Sequence, residues 1–298
     1  MAFTTKATIA SFGGKLYKLT HDSPTTGTPM AVNLYLPQCF SPQKKPAPLL
    51  IYLSGLTCTP DNCSEKGFLQ HRASALGLAI LYPDTSPRGL NLPNETASWD
   101  FGAGAGFYLD ATAPPWNKNY RMASYITQDL PSTLFSDAEF GPYLAGPDKV
   151  AITGHSMGGH GALTLYLKNP GLYQSVSAFA PIANPGKCPW GEKAFSGYFG
   201  GGEGEREGVW KRHDATELVK GWKKEDRGDL KALVDVGTGD QFYKQGQLLP
   251  ENLERAAEGA GVEGLTVRYQ EGYDHSYYFM ASFSDDHVNH AAKHLGLL

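Results

Sequence analysis

Cysteine is scarce: Cys39, Cys58, Cys63 and Cys188 are the only four in 298 residues, too few for a disulfide scaffold. Cys58 and Cys63 lack zinc-ligand spacing and have no second pair beside them, so no metal site is expected. Free thiols in a reducing compartment are the expectation. Positive charge is also short, with 26 Lys and Arg against 30 Asp and Glu and a net charge of −4. Lys223-Lys224 is flanked by Glu225 and Asp226 and reads as solvated surface, so a nucleic-acid partner is not expected. No stretch approaches the ~18 consecutive apolar residues of a membrane span. Met1 to Gly14 holds no apolar leader core, which makes the cytoplasm the expected location. Internal repeats and a linker-like tract are both missing, which favours one domain over residues 1–298.

The chain is 41% hydrophobic and 12% aromatic, enough apolar material for one large core. Short apolar runs closed by turn residues predict strands at Lys15–Thr20, Met30–Leu36, Pro48–Ser54, Leu78–Tyr82, Val150–Thr153, Ser177–Phe179, Ala232–Val236 and Leu265–Tyr269. The first two, joined by a Pro- and Gly-containing loop, suggest an antiparallel start. The unbroken run PLLIYLS reads as a strand buried on both faces. Helices are predicted at Ser64–Ala75, Arg121–Ser136, Met157–Lys168, Leu249–Gly259 and Ser276–His294. This alternation predicts an α/β fold: a mostly parallel central sheet with antiparallel N-terminal strands and helices on both faces. The Gly-rich stretch at 200–205 reads as a surface loop.

The most informative segment is VAITGHSMGGHGAL, which holds Gly-x-Ser-x-Gly as Gly154, Ser156 and Gly158 between a predicted strand and a predicted helix. That context is what a nucleophile elbow requires: a sharp, strained turn lifts the serine hydroxyl clear of the sheet. The helix N-terminus also aims its dipole and free N–H groups at the site of developing negative charge.

A serine nucleophile needs a base held in one tautomer by a carboxylate, and on this scaffold the chain order is serine, acid, histidine. Asp240, just beyond the run Ala232–Val236, is the candidate acid. Asp235, its competitor, lies within that run, and Asp229 reads as surface charge. His275 is the candidate base, with Asp274 supporting its loop. His287, His290 and His294 fall at i, i+3 and i+7 on the last helix and read as a solvated polar face rather than a metal site. His155, in the motif's variable slot, is expected to pack behind the reacting centre.

Acyl transfer also needs donors for an oxyanion. The backbone N–H of Met157 is one candidate and that of Leu56, in the turn after PLLIYLS, the other. Two loops rich in aromatics and glycine offer Trp99, Phe107 and Trp190 as walls of a small pocket, with ordinary loop packing as the alternative. The Gly-Ala-Gly-Ala-Gly run opens no βαβ unit and is no dinucleotide fingerprint. These residues alone leave open a thioesterase, a short-chain carboxylesterase, or a binding protein on a hydrolase scaffold that has lost its chemistry.

Longer motifs go further. SGLTCTPDN (54–62), PDTSPRG (83–89), SWDFGAGAGFYLDAT (98–112), GHSMGGHGAL (154–163), CPWGEKAFSGY (188–198) and EGYDHSYYF (271–279) resemble the S-formylglutathione hydrolases of the α/β-hydrolase superfamily, also called esterase D. The resemblance covers nearly the whole chain. It implies a cofactor-free cytosolic homodimer that hydrolyses S-formylglutathione to glutathione and formate during formaldehyde removal, with side activity on short-acyl esters. It assigns Ser156, Asp240 and His275 to the triad and Leu56 and Met157 to the oxyanion donors. It also matches Cys58 to a position that makes some members sensitive to thiol reagents. The ligand's carboxylates call for cations, for which Arg88 and Lys193 are candidates.

Overall fold

The computed structural model describes residues 2–38 and 45–298; Cys39 falls outside them. Among the described residues nine strands form one sheet: β1 (Thr4–Ser11), β2 (Gly14–Ser23), β3 (Thr28–Leu36), β4 (Leu49–Leu53), β5 (Ala79–Pro83), β6 (Val150–Gly154), β7 (Val176–Phe179), β8 (Ala232–Gly237) and β9 (Leu265–Gln270). Their order is β1-β2-β3-β5-β4-β6-β7-β8-β9. The first three strands, and the junction of β3 with β5, are antiparallel; every pairing from β5 to β9 is parallel. The eight predicted strands are all present, and the expected antiparallel start is there.

Every residue of β4, β5, β6 and β8 is buried. Side chains alternate between the two faces of a strand, so both faces of the central sheet must be covered. The covering helices include α1 (Pro60–Lys66), α2 (Leu69–Leu76), α3 (Leu130–Ser136), α4 (Met157–Lys168), α5 (Pro189–Phe199), α6 (Pro250–Gly259), α7 (Tyr277–Ser282) and α8 (Ser284–Leu295). Helix α4 packs on β4, β6 and β7, while α8 packs on β6, β7 and α2.

Five expectations change. β1 was missed because its residues stay exposed or half-exposed and leave no apolar pattern; it is held by backbone pairing with β2. The helix expected over 64–75 is two, α1 and α2, broken where Phe68 takes a left-handed backbone (φ 55°). The helix expected over 276–294 likewise breaks at Phe283. The segment after β7, read as a rim loop, contains α5, and the Gly-rich stretch at 200–205 leads into a short exposed helix, Glu203–Glu207.

Candidate active site

Ser156 joins β6 to α4 with φ 55° and ψ −121°, a backbone conformation that a side-chain-bearing residue rarely adopts. The flanking glycines make the turn sterically possible. A Cβ on Gly154 would lie 2.4 Å from the Gly158 carbonyl oxygen, and one on Gly158 would lie 2.0 Å from that of Leu53. The elbow is pinned across the sheet by Ser156 N–H, which donates to the Phe179 carbonyl at 2.9 Å.

Asp240 and His275 come from two loops that interlock. Gly237 and Gly239 lead from β8 to Asp240, and a Cβ on either would meet the backbone of Gly272 or Tyr273 at 2.6 Å or less. That close approach brings Asp240 Oδ2 within 2.5 Å of His275 Nδ1. Asp240 is fully buried, and its other oxygen accepts from the N–H groups of Phe242 (2.7 Å) and Tyr243 (3.3 Å), capping the short helix Gln241–Lys244. An ionised carboxylate only accepts, so Nδ1 carries a proton and the imidazole keeps Nε2 as its free acceptor.

Ser156 and His275 line one cleft of about 360 Å³. Among the described residues the Ser156 hydroxyl makes no hydrogen bond to the imidazole. Catalytic pairs are often loose before substrate binds.

His155 also lines the cleft. Its Nε2 accepts from Gly55 N–H at 3.1 Å, so Nδ1 bears the proton and donates to the Tyr52 hydroxyl at 2.9 Å. Burial, with the nearby His275, pushes its pKa down to about 3, so the ring is neutral. Thr57 N–H is tied to the Gly104 carbonyl at 2.9 Å. Between these two anchored amides, Leu56 N–H donates to nothing among the described residues, and neither does Met157 N–H in the first turn of α4. Two free donors therefore adjoin the serine: Met157 follows it in the chain, and Leu56 follows Gly55, where a Cβ would lie 3.1 Å from that of Ser156.

The Esterase family model matches residues 23–290. An S-formylglutathione hydrolase from Rattus norvegicus is 48% identical over 95% of this chain and 95% of its own. One from Saccharomyces cerevisiae is 46% identical over 96% and 97%. The chain belongs to the S-formylglutathione hydrolase family. Among solved structures, an S-formylglutathione hydrolase from Agrobacterium tumefaciens superposes with a TM-score of 0.88 at 41% identity, covering 99% of this chain and 100% of that one. Its α/β-hydrolase fold is therefore this chain's fold.

Within this S-formylglutathione hydrolase scaffold, the expected pocket walls separate. Trp99, Trp190 and Cys58 line the cleft, with the two indoles edge-to-face at 5.5 Å. Phe107 does not: it is fully buried and packs on His160 at 5.8 Å. The reason is local, since Phe107 and Tyr108 are consecutive left-handed residues that turn the chain inward, and the Tyr108 ring fills the space beside Gly161. Arg88 forks onto Asp84 (2.7 and 2.8 Å), and Lys193 pairs with Asp100, so neither expected cation is unpaired.

His287 corrects the reading of the last helix. Far from solvated, it is fully buried, stacks on Phe179 at 3.5 Å and bonds Asp235 through Nε2 at 2.9 Å. Asp235 also takes both forks of Arg268 (2.7 and 2.5 Å) and the amide of Gln270 (2.9 Å), which commits it away from His275. Burial alone would raise its pKa, but the bonds from His287 and Arg268 prevail and hold the carboxyl well below the usual range. His290 and His294 are half-buried. Sequence reasoning missed Phe242, Tyr277 and Met280 as cleft walls. Their positions shortly after Asp240 and His275 in the chain were the available signal.

Proposed function

We propose that this chain hydrolyses S-formylglutathione to glutathione and formate, with Ser156 as nucleophile, His275 as base and Asp240 as orienting acid. The observation that carries the reading is the 2.5 Å clamp of Asp240 on the His275 imidazole, in the cleft that also presents the strained Ser156. His275 Nε2 takes the hydroxyl proton as Ser156 Oγ attacks the formyl carbon. The N–H groups of Leu56 and Met157 receive the developing oxyanion. A thiol with a reference pKa of about 8.5 leaves readily as thiolate, so the first step asks less acid help of His275 than loss of an alkoxide would. The departing thiolate takes the imidazolium proton, and His275, neutral again, deprotonates a water that releases formate from the formyl-serine and then returns that proton to Ser156 Oγ.

A short-chain carboxylesterase is the second reading, and the aromatic wall of Trp99, Trp190 and Phe242 suits a small apolar acyl or alcohol group. The ratio of kcat/KM for S-formylglutathione to that for 4-nitrophenyl acetate separates the two. A ratio above about 100 is expected for a dedicated thioesterase, a difference of about 2.7 kcal/mol in transition-state stabilisation; a ratio near one would select the esterase. Ser156→Ala should abolish both activities with the fold intact by circular dichroism.

A cytoplasmic homodimer completes the proposal, as the family resemblance implies. Cys58, Cys63 and Cys188 are free, which suits a reducing compartment. Among the described residues no helix is long and apolar enough to cross a membrane. Light scattering on the purified protein tests the dimer.

A further inference from the structure

A second cavity of about 410 Å³ adjoins the reaction cleft, and Ser276 and Tyr277 line both. The Tyr277 side chain forms the partition: its hydroxyl lies 3.7 Å from Cys58 Sγ, on the cleft wall. The annex has an unusual rim. Phe68 is 54% exposed and Tyr278 86% exposed, two large aromatics left in solvent. Phe68 is also held left-handed at the break between α1 and α2, a conformation that costs energy, while more than half of the residue stays exposed. Exposed aromatic surface beside a catalytic cleft marks a place where something docks.

Charge says what kind of group docks there. Glu65, the acidic residue of the annex, is met by Lys18 at 2.9 Å. Lys66, beside it, forms no ion pair among the described residues and stands exposed at the C-terminal end of α1. By contrast, Arg88 and Lys193, the cations expected for the ligand's carboxylates, are already paired with Asp84 and Asp100. The annex thus combines apolar stacking surface with one uncompensated positive charge, and it opens next to the atoms where the thiol leaves.

We propose that this annex is the subsite for the thiol half of the substrate: a short anionic peptide whose backbone lies against Phe68 and Tyr278 while Lys66 pairs with one of its carboxylates. The inference rests on the thioesterase reading above and deepens it, because the formyl group is too small to confer selectivity, which must then come from the leaving group. Neutral esters with compact alcohols do not reach the annex. Lys66 acts as a specificity determinant rather than in the chemical step.

The test compares wild type, Lys66→Ala, Lys66→Arg and Phe68→Ala, using S-formylglutathione and 4-nitrophenyl acetate. Removing the ammonium should lower the ratio of kcat/KM for the thioester to that for the ester by about threefold to tenfold, carried by KM, as loss of one partly solvated ion pair implies. Lys66→Arg should restore most of the ratio, and Phe68→Ala should lower it too. High salt should raise the wild-type KM for the thioester and leave that of Lys66→Ala flat, since screening acts on the charge alone. If wild type hydrolyses S-formylglutathione and Lys66→Ala keeps the wild-type ratio, the subsite is overturned and the proposed function stands. An equal loss on both substrates, with melting temperature unchanged, also overturns it. If wild type does not hydrolyse S-formylglutathione, the underlying reading falls and takes this one with it.

Discussion

Replacing His155 with leucine should slow the chemistry without weakening substrate binding. The side chain is buried and neutral, and toward the cleft loop its Nε2 accepts from Gly55 N–H at 3.1 Å and meets the Cys58 thiol at a longer 3.9 Å. Leucine fills similar space but accepts nothing. A buried N–H stripped of its partner costs about 1–3 kcal/mol, which the loop can recover only by moving. Leu56 is the next residue, so any movement of Gly55 carries the proposed oxyanion donor with it. Loss of one such donor costs about 2.7–4 kcal/mol where it has been measured. A partly displaced donor should therefore lower kcat by about 10- to 100-fold, or about 1.4–2.7 kcal/mol, with KM within about twofold.

A trifluoromethyl ketone that forms a tetrahedral adduct on Ser156 should lose affinity in step with kcat, because both depend on the oxyanion donors. His155→Gln is the control, since its amide oxygen can reach the position of Nε2 and should recover much of the rate. The reasoning fails if His155→Leu turns over at the wild-type rate while remaining folded. It fails equally if the glutamine variant is no better than leucine.

Asp240→Asn should reduce kcat by about 10³- to 10⁴-fold through loss of the correct tautomer, as in triads generally, measured by steady-state kinetics; a smaller loss would move the acid elsewhere. Asp235→Asn should instead leave Arg268 and His287 under-compensated and destabilise the fold by about 3–5 kcal/mol in urea melts, with kcat of the folded fraction retained. Gly158→Ala drives a Cβ to 2.0 Å from a backbone oxygen that cannot step aside, so soluble yield and melting temperature should both fall. Acidification should destabilise the protein below about pH 6.5, the reference histidine pKa. His155 and His160, both held near 3 by burial, stay neutral in the folded chain while the unfolded chain protonates them, so stability rises with pH across that window. Each contributes a slope of about 1.4 kcal/mol per pH unit there. A melting temperature flat between pH 7 and pH 5 would contradict the two assignments.

What could be read from the chain depended on how local the determinant was. β4, β6 and α4 were legible because their signals, a continuous apolar run and a strand–serine–helix motif, lie within a few residues of each other. That Asp240 rather than Asp235 lies against His275 follows a similarly local signal: one sits just past the end of a strand and the other inside it. The misreading of His287 shows the opposite case. Three histidines spaced on one helix look polar, and nothing nearby in the sequence reveals that Asp235, 52 residues earlier, waits beneath one of them. Burial of a polar side chain is decided by its partner, and a remote partner leaves no periodic trace. Phe107 was misplaced by a still shorter-range effect, two successive left-handed residues that no propensity would assign to Phe and Tyr. Phe68 belongs with it, since its left-handed backbone divided a helix that the apolar pattern read as continuous and left an aromatic in solvent beside the cleft. Strained backbone overrides the local pattern wherever tertiary contacts outweigh it, and the elbow at Ser156 is where such strain is best explained by chemistry. By the same reasoning the strain at Phe68 calls for an explanation of its own, and binding at the annex is the one its exposure supports.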